Sequence, residues 1–145
     1  MLIRFLPHKV AEFWEELLPH IQRGVPLEKG ESPEKFNNIL EALLTERMVC
    51  WISVDSKHKR ADGVILTIIT RDAIAETFSL LIYCVASIKH FGEQSWMEGM
   101  EALAKYATGS GCVEIVSFAP NPVSIKWSEK LGCNCDMRYI VYKLV

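Results

Sequence analysis

The stretch from Phe91 to Leu131 constrains the fold of this chain more than any other. Phe91-Gly92-Glu93-Gln94-Ser95-Trp96 opens a helix that runs to about Ala107, Gly109 and Gly111 stop it, and the apolar run Cys112 to Phe118 follows as a short strand. Asn121 and Pro122 then open a second helix that ends at Leu131-Gly132. Asparagine is a good N-cap, proline suits the first helical position, and glycine supplies the left-handed residue that closes a helix. Ser95 with Glu98 three residues on predicts a capping box, and Trp96, Met100, Leu103, Ala104 and Ala107 form one buried stripe. Upstream, the near-continuous apolarity of Thr77 to Ile88 predicts a strand buried on both faces at the centre of a sheet. Strand, helix and strand in that order make a β-α-β unit, with parallel neighbouring strands and a right-handed crossover.

The remaining residues supply the elements around this unit. Val10, Phe13, Trp14, Leu17, Leu18 and Ile21 share one helical face, and Pro19 is expected to kink or end that helix because it has no donor for the Glu15 carbonyl. Gly24, Pro26 and Gly30 mark a loop. Ser32-Pro33-Glu34 starts a second amphipathic helix, with Phe36, Ile39, Leu40, Leu43 and Leu44 on its apolar face, reaching about Arg47. Met48 to Asp55 and Gly63 to Thr70 are β-type runs joined across Ser56 to Arg60 as an antiparallel hairpin. Met1 to Leu6 reads as a short first strand and Met137 to Leu144 as a closing antiparallel strand. The expected architecture is one α/β (α+β) domain over residues 1–145. Its sheet is mixed and mainly antiparallel with one parallel pair, 77–88 beside 112–118, and is flanked by four helices.

Composition narrows the function classes. With 16 basic against 18 acidic residues the net charge is -2, so no global field draws the chain to nucleic acid or an anionic membrane. The longest apolar run, Phe78 to Ile88, is interrupted by Ser79 and Ser87 and falls short of the roughly 20 residues of a membrane span. Met1 to His8 lacks the apolar core and small-residue cleavage site of a secretory signal, and a cytoplasmic protein is expected. Four of the five cysteines (Cys50, Cys84, Cys112, Cys133, Cys135) sit in apolar strand-like stretches, where cysteine behaves as a small buried hydrophobe. Cys133 and Cys135 are too closely spaced for a zinc knuckle and no second pair completes four ligands, so no metal site is expected.

The element order resembles that of the GCN5-related N-acetyltransferase (GNAT) superfamily. In that family the last helix carries a pattern like Asn-x-x-Ala-x-x-Leu-Tyr-x-Lys-x-Gly-Phe. Asn121, Lys130 and Gly132 match it, with Ser124, Trp127, Ser128 and Cys133 at the other positions. The family's phosphate loop, like Arg/Gln-x-x-Gly-x-Gly/Ala, falls on Phe91 to Trp96. Here Phe91 stands for the Arg/Gln, Gln94 and Trp96 stand for the glycines, and Glu93 adds a negative charge. The resemblance implies an N-acetyltransferase with acetyl-CoA as cofactor and an amine as substrate. The cofactor would lie across Val85, Ala86 and Ser87, against the amides of Gly92, Glu93, Gln94, Ser95 and Trp96, and beside Asn121. Where many members use a tyrosine of the last helix to protonate the leaving thiolate, this sequence has Ser128, a far weaker acid.

Other candidates for proton transfer are Tyr83 and Tyr139 in strands and His90 beside the loop, while Glu76 reads as a solvated turn residue. Lys57, His58, Lys59 and Arg60 read as a solvated hairpin tip. Trp14, Trp51, Trp96 and Trp127 occupy core-facing positions. A recognisable frame with a departing loop also resembles small phage-encoded GNAT-like proteins, some of them virion components. That resemblance implies the alternative: a non-catalytic module binding a protein partner, in a phage particle or as a homo-oligomer.

Overall fold

The structure is a computed structural model that describes residues 1–89, 91–118, 122–137 and 140–144. Its elements are β1 (Leu2–Phe5), α1 (Pro7–Glu12), α2 (Trp14–Gly24), α3 (Glu34–Leu44), β2 (Val49–Asp55), β3 (Arg60–Asp72), β4 (Thr77–Ser87), α4 (Glu93–Gly109), β5 (Cys112–Ser117) and α5 (Pro122–Lys130). The strands form one sheet in the order β1-β2-β3-β4-β5. Every neighbouring pair is antiparallel except β4 and β5, which are parallel as expected from the β-α-β unit. Among the described residues no helix is long and apolar enough to cross a membrane.

The sheet separates two cores. On one face Val10, Leu17, Ile21, Ile39 and Leu43 from the first three helices pack on Cys50, Ile52, Val64, Leu66, Cys84 and Ala86. On the other, Leu103 and Ala107 of α4 pack on Val49, Trp51, Ile65, Leu80 and Ile82. Leu80 and Ile82 therefore face α4 while Cys84 and Ala86, of the same parity, face α2. The cause is a bulge: Leu66 pairs with Cys84 and Thr67 with Ile82, so Tyr83 is an extra residue that flips the strand. β4 reads as continuously apolar because its two halves feed opposite cores. The middle strand of the sheet is β3, not β4. The polar atoms of the α4-side core are matched, with Trp51 Nε1 donating to Thr67 Oγ1 at 2.9 Å.

Among the described residues five helices are present where the sequence predicts four. The first predicted helix divides at Phe13 (φ -107, ψ 17) rather than at Pro19, which lies inside α2. The Phe13 carbonyl accepts the amides of Glu16 and Leu17 and so starts α2, while its ring packs 5.9 Å from that of Phe5. Pro19 removes one helical bond, but Leu17 and Ile21 on either side of it are 5% and 0% exposed and hold the helix to the sheet. The predicted capping box is also absent. Gly92 is the N-cap of α4, Ser95 bonds elsewhere, and Glu98 accepts from Gln94 Nε2 and the Met1 amino group at 2.9 Å each. The predicted closing strand is likewise not formed by its described residues: Met137 and 140–144 are irregular and largely exposed. β-propensity makes a strand only against a partner, and none of these residues joins the sheet. Arg138 and Tyr139 lie outside the described residues.

α2 is seated on β4 at Gly24, where a Cβ would come 2.5 Å from Cys84 Sγ and 3.1 Å from Ala86 Cβ. Gly to Ala in a helix ordinarily stabilises by up to about 1 kcal/mol. Here the sign reverses: Gly24→Ala is expected to destabilise by about 1–3 kcal/mol through overpacking, measured as a lower urea midpoint by circular dichroism. A raised midpoint would show that α2 does not sit this closely.

Candidate functional site

The pairing of β4 with β5 ends at Ile82 and Ser117, while β4 continues to Ser87. Beyond Tyr83, the edge of β4 that faces β5 therefore has no ladder partner among the described residues. Val85, Ala86 and Ser87 lie along that edge. An open edge offers main-chain donors and acceptors to an extended ligand.

This edge leads into the N-terminus of α4. Gly92 has extended backbone (φ -91, ψ 174) and no side chain caps the helix. The Trp96 amide donates to the Gly92 carbonyl at 3.1 Å, so the first-turn donors left without a helical acceptor are those of Glu93, Gln94 and Ser95. Their side chains are engaged elsewhere. Glu93 Oε1 accepts from Lys130 Nζ of α5 at 2.8 Å, which compensates its negative charge where α4 begins. Gln94 bonds to Glu98, and Ser95 Oγ donates to Asp62 Oδ2 at 2.6 Å. Trp96 is 8% exposed, its ring tilted against that of Trp127 at 6.2 Å, and its Nε1 has no partner among the described residues. Trp96 thus faces the interior and fills the space behind the loop. Trp51 is buried as well, and Trp14 and Trp127 are half-buried.

Asp62, which sequence reasoning did not single out, anchors the loop. Ser53 pairs with Gly63 and Val54 with Ala61, so Asp62 is the extra residue of a bulge in β3, 4% exposed. Its carbonyl accepts the Ile88 amide at 2.9 Å and its carboxylate accepts Ser95. Beside it, the Phe91 ring occupies the place of a Gly63 side chain, within 2.8 Å of where a Cβ would stand. Both ends of the β4-α4 connection are thereby tied to β3. The available signal was the Asp-Gly pair inside an apolar run, a bulge pattern. Arg23 was missed too: it reaches from α2 to the Ser87 carbonyl at 3.1 Å and to His20 Nδ1 at 2.5 Å. Burial and then the Arg23 charge lower the His20 pKa, which favours the neutral imidazole.

On the opposite face of the sheet an open cleft of about 530 Å³ lies between α3 and the β3-β4 pair. Tyr83, the bulge residue, lines it together with Leu81, Ile39, Ala42 and Met48, and Glu31, Glu34 and Lys35 stand at its edge. Lys35 Nζ bonds to Glu31 Oε2 at 2.8 Å. Burial acts to lower the Lys35 pKa, but the hydrogen bond to Glu31 and the neighbouring Tyr83 and Glu28 outweigh it, and the net shift is upward.

Of the other candidates, Ser128 is engaged inside α5, its hydroxyl donating to the Ser124 carbonyl at 2.8 Å. His90 and Asn121 lie outside the described residues. Glu76 is an exposed turn residue at φ 55. The 57–60 tip is stitched locally, with Asp55 accepting from the Lys57 amide at 2.9 Å and paired with His58 at 2.6 Å. No group of three metal-binding side chains occurs among the described residues, and the five cysteines are unbridged.

No protein-family model and no curated protein matches the sequence. Solved structures do match the fold. An aminoglycoside acetyltransferase from an uncultured soil metagenomic sample superposes with a TM-score of 0.73 at 16% identity, over 100% of this chain and 98% of that one. The ribosomal-protein-alanine N-acetyltransferase of Brucella melitensis biovar Abortus 2308 gives 0.68 at 14%, over 99% of each chain. The aminoglycoside N-acetyltransferase AAC(6')-Iy, in complex with CoA, gives 0.71 at 19%, over 99% of this chain and 93% of that one. The chain has the GNAT acetyltransferase fold.

Two measurements test this geometry. Trp96→Ala is expected to cost about 3–5 kcal/mol of stability, as truncation of a buried aromatic does, read from chemical denaturation; a near-neutral variant would mean the indole is not packed. Burial, with the Cys84 charge added, pushes the Cys50 thiol from 9.0 up to about 12, and burial pushes Cys84 to about 12. At pH 8 only about one in ten thousand such thiols is ionised, so both should resist a thiol-specific colorimetric reagent in the native protein while exposed Cys133 reacts. Because the folded-state pKa is raised, their contribution to stability is full below about 9.0 and is lost as pH rises toward about 12.

Proposed function

We propose that the chain is an acyl-CoA-dependent N-acetyltransferase that moves an acetyl group from acetyl-CoA directly to an amine. One observation carries this reading: β4 outruns β5, so an open main-chain edge at Val85, Ala86 and Ser87 leads into an uncapped helix N-terminus. An extended amide-bearing arm fits the edge, and first-turn amides with the helix dipole favour the phosphate charge at its end. The group therefore fits at the level of the backbone, although the loop lacks the family's glycines. The side chains of Phe91 and Trp96 pack away from it, on Gly63 and Trp127.

Acetyl-CoA bound there supplies a thioester carbonyl open to attack by a neutral amine. Within the chain, Glu93, Gln94, Ser95 and Asn121 are the candidates that hold the phosphate end, with Lys130 balancing the charge of Glu93. Asp62 and Arg23 position the loop and the end of β4. Tyr83 stands where the open edge begins and also lines the cleft, which supports it as the group that gives a proton to a leaving thiolate. Ser128, committed to the Ser124 carbonyl, is not. The acceptor enters from the cleft and loses its proton to water at the open mouth. Tyr83 remains the catalytic candidate that the described geometry favours; His90 is retained from the resemblance alone.

Thermal denaturation with acetyl-CoA tests the reading. Ligand at 100 times its dissociation constant adds about 2.7 kcal/mol, and Tyr83→Phe should retain that shift while losing at least tenfold in kcat with a responsive amine. No shift at millimolar acetyl-CoA would overturn acyl transfer and leave the non-catalytic, partner-binding reading in its place.

A further inference from the structure

We propose that the cleft beneath α3 selects, as acceptor, amines that carry a single positive charge on a compact apolar or aromatic body. This deepens the acyl-transfer reading and rests on it. The cleft meets the open edge of β4 at one residue, Tyr83, which belongs to both. A molecule seated in the cleft therefore has its reacting end at the place where the edge begins.

The lining fixes the class. The floor is apolar: Ile39, Ala42 and Met48 are 4%, 8% and 6% exposed, and Leu81 adds a further aliphatic surface. Ser32, Asn38, Thr70 and Tyr83 also line the cleft, but a sugar lowered onto the floor itself would set hydroxyls against aliphatic side chains, and each hydrogen bond to water lost there weakens binding. An alkyl or aryl group has no such cost. At about 530 Å³ the cleft lies in the range of small-molecule sites.

The edge of the cleft limits the charge. It carries two carboxylates, Glu31 and Glu34, and one ammonium, Lys35. Glu31 is committed to Lys35 at 2.8 Å, so the set is left with one net negative charge, on Glu34, whose carboxylate also accepts from Asn37 Nδ2 at 3.0 Å. One substrate ammonium balances it. A second would meet Lys35, held in place by Glu31, and like charges in a partly desolvated cleft repel.

Calorimetric titration of the full chain tests this, with saturating coenzyme A and without it, using phenethylamine as the apolar monocation and spermidine and kanamycin as polycations. Phenethylamine is expected to bind at least tenfold more tightly than either polycation. Ala42→Phe, which fills the floor, should weaken phenethylamine at least tenfold. Lys35→Gln, at the cleft edge and safer for folding, frees Glu31 and should tighten kanamycin and spermidine by a larger factor than phenethylamine, narrowing the wild-type preference. Equal or tighter binding of the polycations to the wild type, or no binding of phenethylamine, overturns the proposal. An acetyl-CoA shift without the amine preference overturns the substrate class alone; the amine preference without an acetyl-CoA shift supports the cleft's selectivity and overturns acyl transfer.

Discussion

A single unpaired residue in β4 sets much of the architecture. Tyr83 is inserted between Leu66↔Cys84 and Thr67↔Ile82, and because side chains alternate along a strand, one extra residue exchanges the faces of everything beyond it. Leu80 and Ile82 are thereby committed to α4, and Cys84 and Ala86 to α2. The same shift brings the Tyr83 ring to the cleft at the point where β4 loses β5. Packing on two faces thus originates in the β3-β4 register, while the open edge beside it depends on where β5 stops.

The second bulge, at Asp62, does for the connection what the first does for the strand. A residue without a ladder partner frees its main chain and side chain for other work, and here both go to the β4-α4 connection, through Ile88 and Ser95. Tertiary anchors of this kind give the connection a fixed geometry. The ordering cost is met by burial of Trp96 and by Phe91 on Gly63 rather than by a tight turn. Lys130 completes the arrangement by joining the end of α5 to the start of α4 across 2.8 Å; the pair is half-exposed, so its contribution is to local charge more than to stability.

Much of this was legible in the residues. Period and punctuation marked β4, α4, β5 and α5 within a residue or two, because apolar spacing, Gly111 at φ 80 and Gly132 at φ 78 act locally. The parallel β4-β5 pair followed from the handed crossover. Pro19 does not end its helix because its local penalty is smaller than the burial of Leu17 and Ile21, and the Ser95-Glu98 box misled because Asp62 competes for Ser95 from a distant strand.

What the amino-acid sequence determined by itself was therefore the set of elements and the direction in which they run, since hydrophobic period, caps and glycine breaks are properties of neighbouring residues. What only the tertiary structure decided was the candidate site. Its open edge depends on where β5 stops beside β4, its anchors Asp62 and Arg23 come from β3 and α2, and its cleft lies between α3 and the β3-β4 pair. Each of these is a meeting of residues far apart in the chain, settled by register and packing rather than by any local preference.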